Sequence, residues 1–166
     1  MSDERAVYAR IFARDLEVLA REIALYPDDA ALWKEVPGQP TLGGSLALHL
    51  VGNLRHFIGR VVGGTDYVRD REAEFESRGR SRKELQALVQ AAQAEVAAAL
   101  AGLEAARLDA PFPEPIRGHQ LDTRTVLVHL ITHLSFHLGQ LDYHRRAATG
   151  DRASAEPGGF AQLLAP

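Results

Sequence analysis

Cysteine is missing from this chain, and methionine and tryptophan occur once each. Without cysteine there are no disulfides, no thiolate nucleophiles and no thiolate-bound zinc or iron–sulfur sites, a composition that suits a reducing, cytoplasmic setting. Any metal must be held by His, Asp or Glu. No run reaches the ~20 apolar residues a membrane-spanning helix requires, and the most apolar stretch, VLVHLIT, is interrupted by His129. The start of the chain, MSDERAVYARIFARDLE, is charged from its third residue and carries no signal-peptide pattern, so no membrane partner is expected. Positive charge is not in excess either. With 19 Lys+Arg against 22 Asp+Glu the formal charge is −3, which disfavours general nucleic-acid binding. Also missing are GxSxG, GxxxxGK[ST] and a strand-linked GxGxxG, which leaves serine-hydrolase, P-loop and Rossmann chemistry without a foothold.

What remains is 166 residues, 46% hydrophobic and 25% charged, a composition that predicts a single folded domain over 1–150 with a tail over 151–166. Apolar residues Tyr8, Phe12, Leu16, Leu19, Ile23 and Tyr26 recur at three- and four-residue steps, which predicts a first helix ended by Pro27. Asp28 or Asp29 can cap a short turn around Leu32 and Trp33. A second long helix is predicted from about Ser45 to Val62, with Gly63 and Gly64 as its stop. The charged stretch 65–80 reads as a loop with one helical turn. Ser81 and Glu84 form a capping box ahead of Leu85, Leu88, Val89, Ala92, Val96, Leu100 and Leu103, the third helix. After the proline-rich PFPEPIRGH crossover, Asp122 or Thr123 can cap a fourth helix that Gly150 terminates. The expectation is an all-α four-helix bundle with one long crossover connection. The tail reads as extended, with a weak turn at 160–164 docked on the bundle. Glycine pairs 43/44 and 63/64 read as helix punctuation.

Seven histidines are present and four of them, His129, His133, His137 and His144, lie on the fourth helix. At about 100° per residue, His133 and His137 fall about 40° and 80° from His129, toward an apolar stripe centred near 120°. That places His137 nearest the core, His133 at its border and His129 toward solvent. The pair is one turn apart and can converge on one ion. On the second helix, His49, Asn53, His56 and Arg60 share a polar seam. If the second and fourth helices are neighbours, His49 faces the pair and completes a three-nitrogen set, with a fourth position left for water or substrate. Imidazoles suit Zn, Ni, Fe and Cu alike. The spacing reads HLSFH and lacks the glutamate of HExxH, so a zincin peptidase is disfavoured.

The segments TLGGSLALHLVGNLRHFIG at 41–59, YVRDREAEF at 67–75 and HLITHLSFHLGQLDYHRR at 129–146 together resemble the DinB-like (DinB/YfiT) superfamily of metal-dependent four-helix-bundle proteins. The order is right and His-xxx-His-x-Gly-Gln is its most specific part. The resemblance implies a bundle with a metal bound by His49, His133 and His137, Zn or Ni being the expected ions. Members that use bacillithiol or mycothiol imply a low-molecular-weight thiol as cosubstrate, and the family's frequent dimers imply a homodimer.

These readings converge on a metal-dependent enzyme, of thiol S-transferase or hydrolase type, acting on a small molecule. Asn53 and Arg60 are candidates for substrate contact, and His56 and His129 for proton transfer or support of the ligands. The competing reading is a non-catalytic bundle that binds a metal or a partner, with a stress-related role. Tyr67, Arg69, Asp70, Arg71 and Glu74 either match a family motif or form an ion-pair network that fixes the crossover.

Overall fold

A computed structural model describes residues 3–160 and Leu163. The first helix, α1 (Glu4–Leu25), is capped by Asp3, whose side chain accepts from the Arg5 N–H. Its apolar stripe of Tyr8, Phe12, Leu16, Leu19 and Ile23 is buried as its spacing predicts. Asp28 caps the single turn α2 (Asp29–Leu32).

The second long rod differs from its expected form at both ends. Helix α3 spans Gly43–Leu54, starting two residues early, and then widens into a π-helical segment, Arg55–Val62. Gly43 and Gly44 are therefore inside the first turn, not at a stop. They allow close packing: a Cβ on Gly43 would lie 2.9 Å from His144 Nδ1, and one on Gly44 2.5 Å from the Trp33 ring.

Helix α4 (Arg71–Glu76), capped by Asp70, is the turn expected within the charged stretch. Helix α5 (Arg82–Gly102) begins with the complete Ser81/Glu84 capping box. A 3-10 turn, Ala105–Leu108, leads into the crossover. There, Phe112 N–H donates to the Leu121 carbonyl (2.8 Å), and Ile116 and His119 exchange backbone bonds around a tight turn at Arg117 and Gly118. The prolines thus sit in a narrow ribbon whose buried Phe112 packs near Phe57.

Asp122 caps the longest helix, α6 (Thr123–Thr149), and Gly150 ends it at φ +75°. Helix α1 packs on α5 and α6, and the α3–π rod packs on the same two, so these long segments enclose one apolar core. The architecture is an all-α bundle. No helix among the described residues is long and apolar enough to cross a membrane. Beyond Gly150 the chain is extended and Ala155 is buried, its carbonyl accepting from Arg21 (3.1 Å). Of the turn predicted at 160–164, residues 161, 162 and 164 lie outside the described residues.

Candidate metal centre

The register of α3 against α6 decides where the histidines meet. Gly43 lies against His144, and six residues further along α3 His49 lies against His133 and His137, so the helices run antiparallel. One side-chain nitrogen from each of His49, His133 and His137 can be chosen so that all lie within 4.8 Å of one another. The rings stand edge to face at 4.5–5.2 Å between centroids. His49 is buried, while His133 and His137 are half-buried at similar depth.

Hydrogen bonds on the far sides of the rings fix which nitrogens face inward. A carboxylate only accepts, so His49 Nδ1–H donates to Glu74 Oε2 at 2.9 Å and its Nε2 carries the lone pair. His137 Nδ1–H donates to Gln140 Oε1 at 2.6 Å, which frees its Nε2 in the same way. His133 Nδ1 is buried with no partner, and His133 Nε2 lies 3.2 Å from His49 Nε2. If His133 carries its proton on Nε2, a bare lone pair is stranded at the buried Nδ1. If the proton is on Nδ1, the inward nitrogens all present lone pairs to each other. Either tautomer leaves a polar group unmet, and a cation held by the Nε2 atoms satisfies the second arrangement. The residues therefore fit a metal ion.

Electrostatics keep the donors neutral. Burial, reinforced by the charges that His137 and His49 would carry, brings the His133 pKa down to about 4. His137 is also lowered, by burial against the opposing bond from Gln140. Imidazoles that stay unprotonated are the form a metal binds.

Glu74 is held from its other side by Arg69, with Nε 2.6 Å from Oε1 and Nη2 2.8 Å from Oε2. Burial works against its charge, but the bonds from Arg69 and His49 keep the Glu74 carboxyl below the usual range. Helix α4 delivers this carboxylate, and α3 makes room for it at Gly52, where a Cβ would sit 2.1 Å from Glu74 Oε1. Phe75, next along α4, packs its ring 5.1 Å from that of His49.

A family model described as the DinB superfamily matches residues 11–141. The chain belongs to the DinB superfamily. No curated protein and no solved structure gives a significant match. The matched span contains the whole histidine cluster together with Glu74 and Gln140, and membership and cluster are together compatible with metal binding.

In this DinB superfamily member the other candidates are dispersed around the cluster. His129 is exposed, with its ring 5.9 Å from that of His133. Asn53 is buried one turn along α3 from His49, and its Oδ1 has no partner. His56 Nε2 pairs with Glu114 Oε1 of the crossover at 3.2 Å, while its buried Nδ1 has none. Arg60 is not brought to the cluster: it is exposed, and its Nη1 donates to the Tyr67 carbonyl at 3.4 Å. The physical reason is the π segment. Its i→i+5 winding turns each residue by roughly 80–85° in place of 100°, so Arg60 arrives roughly 100° from the seam that uniform α winding assigns it.

Three residues absent from the candidate list prove to be part of the site: Glu74, Arg69 and Gln140. Signals for each were present. Arg69 and Glu74 stand in the charged stretch at 67–75, and Gln140 closes the His-xxx-His-x-Gly-Gln run.

Proposed function

We propose that this chain is a metal-dependent enzyme in which Nε2 atoms of His49, His133 and His137 hold one divalent transition ion, Zn or Ni, for a thiol S-transfer or hydrolysis. The observation that carries the reading is the inward convergence of these nitrogens while the Nδ1 atoms of His49 and His137 are tied behind them. A bound ion of this kind supplies Lewis acidity, which brings a water or a low-molecular-weight thiol toward its ionised form near neutral pH.

The chain's own residues prepare that chemistry. Uncharged imidazoles cancel none of a cation's charge. Glu74 orients His49 and makes it more basic, and Arg69 keeps Glu74 engaged there as an outer partner. Gln140 orients His137 without adding charge. His129, solvent-facing beside His133, is placed to exchange a proton with solvent, and Asn53 to meet a substrate polar group. A chain without cysteine must take any reacting thiol from a cosubstrate.

Elemental analysis of protein purified without a histidine tag tests the metal site. About one equivalent of transition metal per chain is expected. Less than about a tenth of an equivalent, with no uptake on reconstitution, overturns the reading. Catalysis is tested separately by following thiol consumption in the presence of an electrophile. Turnover should vanish in His133→Ala and His137→Ala variants that keep their helical spectrum, and unchanged rates in both end the mechanism.

A further inference from the structure

The groove between α3 and α6 does not stop at the histidines. One turn toward the α3 N-terminus, Leu46 faces Gln140 and Tyr143 of α6 across a cavity of about 230 Å³, closed on its third side by Gln39, Pro40 and Thr41. Antiparallel packing makes this cavity the next station after the cluster: Gly43 lies against His144, Leu46 opposite Gln140, and His49 against His137. Gln140 belongs to both. Its Oε1 accepts from His137 Nδ1, and the residue also lines the cavity.

The lining states what the cavity accepts. No charged side chain contributes to it. An ion placed there would lose hydration with no counter-charge to replace it. What the walls offer is the amides of Gln39 and Gln140, the Thr41 hydroxyl, the apolar surface of Leu46 and Pro40, and the Tyr143 ring, which is 71% exposed. With Oε1 of Gln140 committed to His137, the NH2 of the same amide is the free donor, and it calls for a carbonyl or hydroxyl oxygen. The volume is below the ~300–1,000 Å³ of a site for a whole drug-sized ligand, so it suits one neutral arm of a substrate.

We propose that this cavity is the subsite for an uncharged amide- or hydroxyl-bearing arm of the substrate, and that Gln140 couples its occupancy to the His137 side of the metal centre. The inference deepens the metal-enzyme reading and rests on it for the coupling, though not for the binding. The arm lies in the neutral cavity while the reacting end extends along the groove to the histidines.

Three probes of similar size and different charge test this on the full chain: N-methylacetamide, methanesulfonate and methylammonium. In the Zn(II)-loaded protein, N-methylacetamide should shift the NMR signals of Thr41, Gln39 and the Gln140 side-chain amide, with the charged probes at least about tenfold weaker. In the Co(II)-loaded protein the same neutral probe should change the visible absorption. Gln140→Glu keeps an acceptor for His137 and puts a negative charge in the lining. That variant should retain Zn(II) affinity within about threefold and reverse the preference toward methylammonium. Equal binding of all three probes, shifts that map elsewhere, or an unchanged preference in Gln140→Glu overturns the subsite. An unmoved Co(II) spectrum at saturating N-methylacetamide overturns the coupling alone. A chain that takes up neither metal removes the metal reading, and the NMR titration of the metal-free chain still decides the subsite.

Discussion

Helix α6 carries two polar clusters about two turns apart, and they are built on opposite terms. At its C-terminal end Arg145, fully buried, donates from Nε to Glu22 of α1 (2.7 Å) and from Nη2 to Asp142 (2.9 Å) and to the carbonyl of Ala153 in the tail, while Arg146 holds the other oxygen of Asp142 (2.8 Å). Two carboxylates meet two guanidiniums and the tail lies over them. At its middle, His133 and His137 meet His49 with lone pairs and no counter-charge. The knot is closed by the chain itself, whereas the histidine cluster is complete only with something the chain does not encode. A polar group buried with its partners is architecture; buried groups that share an unmet need point outward to a ligand.

The largest expected effect lies in the knot. Arg145→Met strands the carboxylates of Glu22 and Asp142, whose burial already pushes Glu22 up, and should cost about 3–5 kcal/mol in urea unfolding. Replacing Glu22 by Leu in the same chain should recover part of the loss; no recovery would mean that Arg145 acts through packing and not through charge.

The second test concerns metal affinity. Glu74→Gln should weaken Zn(II) binding about 10–100-fold in a chelator competition, since it loosens His49 without removing a ligand. Gly52→Ala should act in the same direction by displacing the same carboxylate. If both bind as tightly as the parent, the outer carboxylate is not part of the centre.

His133→Leu sharpens the contrast from the stability side. In the metal-free chain it removes a half-buried, unmet imidazole, and should raise stability by about 1 kcal/mol, the opposite sign to Arg145→Met. A clear loss of stability would make the cluster structural.

The smallest effect concerns His144, which stands between the two clusters. Its Nε2–H donates to the Lys34 carbonyl (3.0 Å) and its Nδ1 accepts from the Tyr26 hydroxyl (2.7 Å), so protonation sets two donors face to face. Burial, opposed by the Lys34 carbonyl, lowers the folded pKa below 6.5. The unfolded chain then binds the proton more readily, so stability is present above about pH 6.5 and is lost as pH falls through the folded pKa. His144→Gln should flatten that loss between about pH 7 and 5 in urea titrations; an unchanged slope assigns the acid sensitivity to other groups.

Most of the scaffold was legible because its signals are local. The Ser81/Glu84 box, the Asp122 cap and the Gly150 stop each need only a few neighbouring residues to be read, and the apolar stripe of α1 follows from spacing. The histidines were legible for a related reason: helical angles bring His133 and His137 to one edge, and the antiparallel neighbour supplies His49. What escaped depends on contacts between distant segments. The tie from Glu74 to His49 needs α4 to fold back onto α3 at a glycine, and nothing in the periodicity of either helix encodes that approach. The glycines at 43 and 44 carry the same lesson, since a residue that resembles a stop can instead admit a neighbouring ring. The π segment was hidden because apolar spacing at Leu54, Ile58 and Val61 fits either winding.

That wider coil has a genetic corollary. Beyond it, Gly59 fits beneath Glu95 and Gly63 beneath Ala99, both too close for any side chain, and Arg55 grips Glu95 at 2.6 Å while stacking on Tyr67. Deleting a single codon within the segment would let the rod re-knit as ordinary α-helix and would carry both glycines out of phase with α5. The reading frame of this stretch should therefore tolerate substitution far better than it tolerates a change in length.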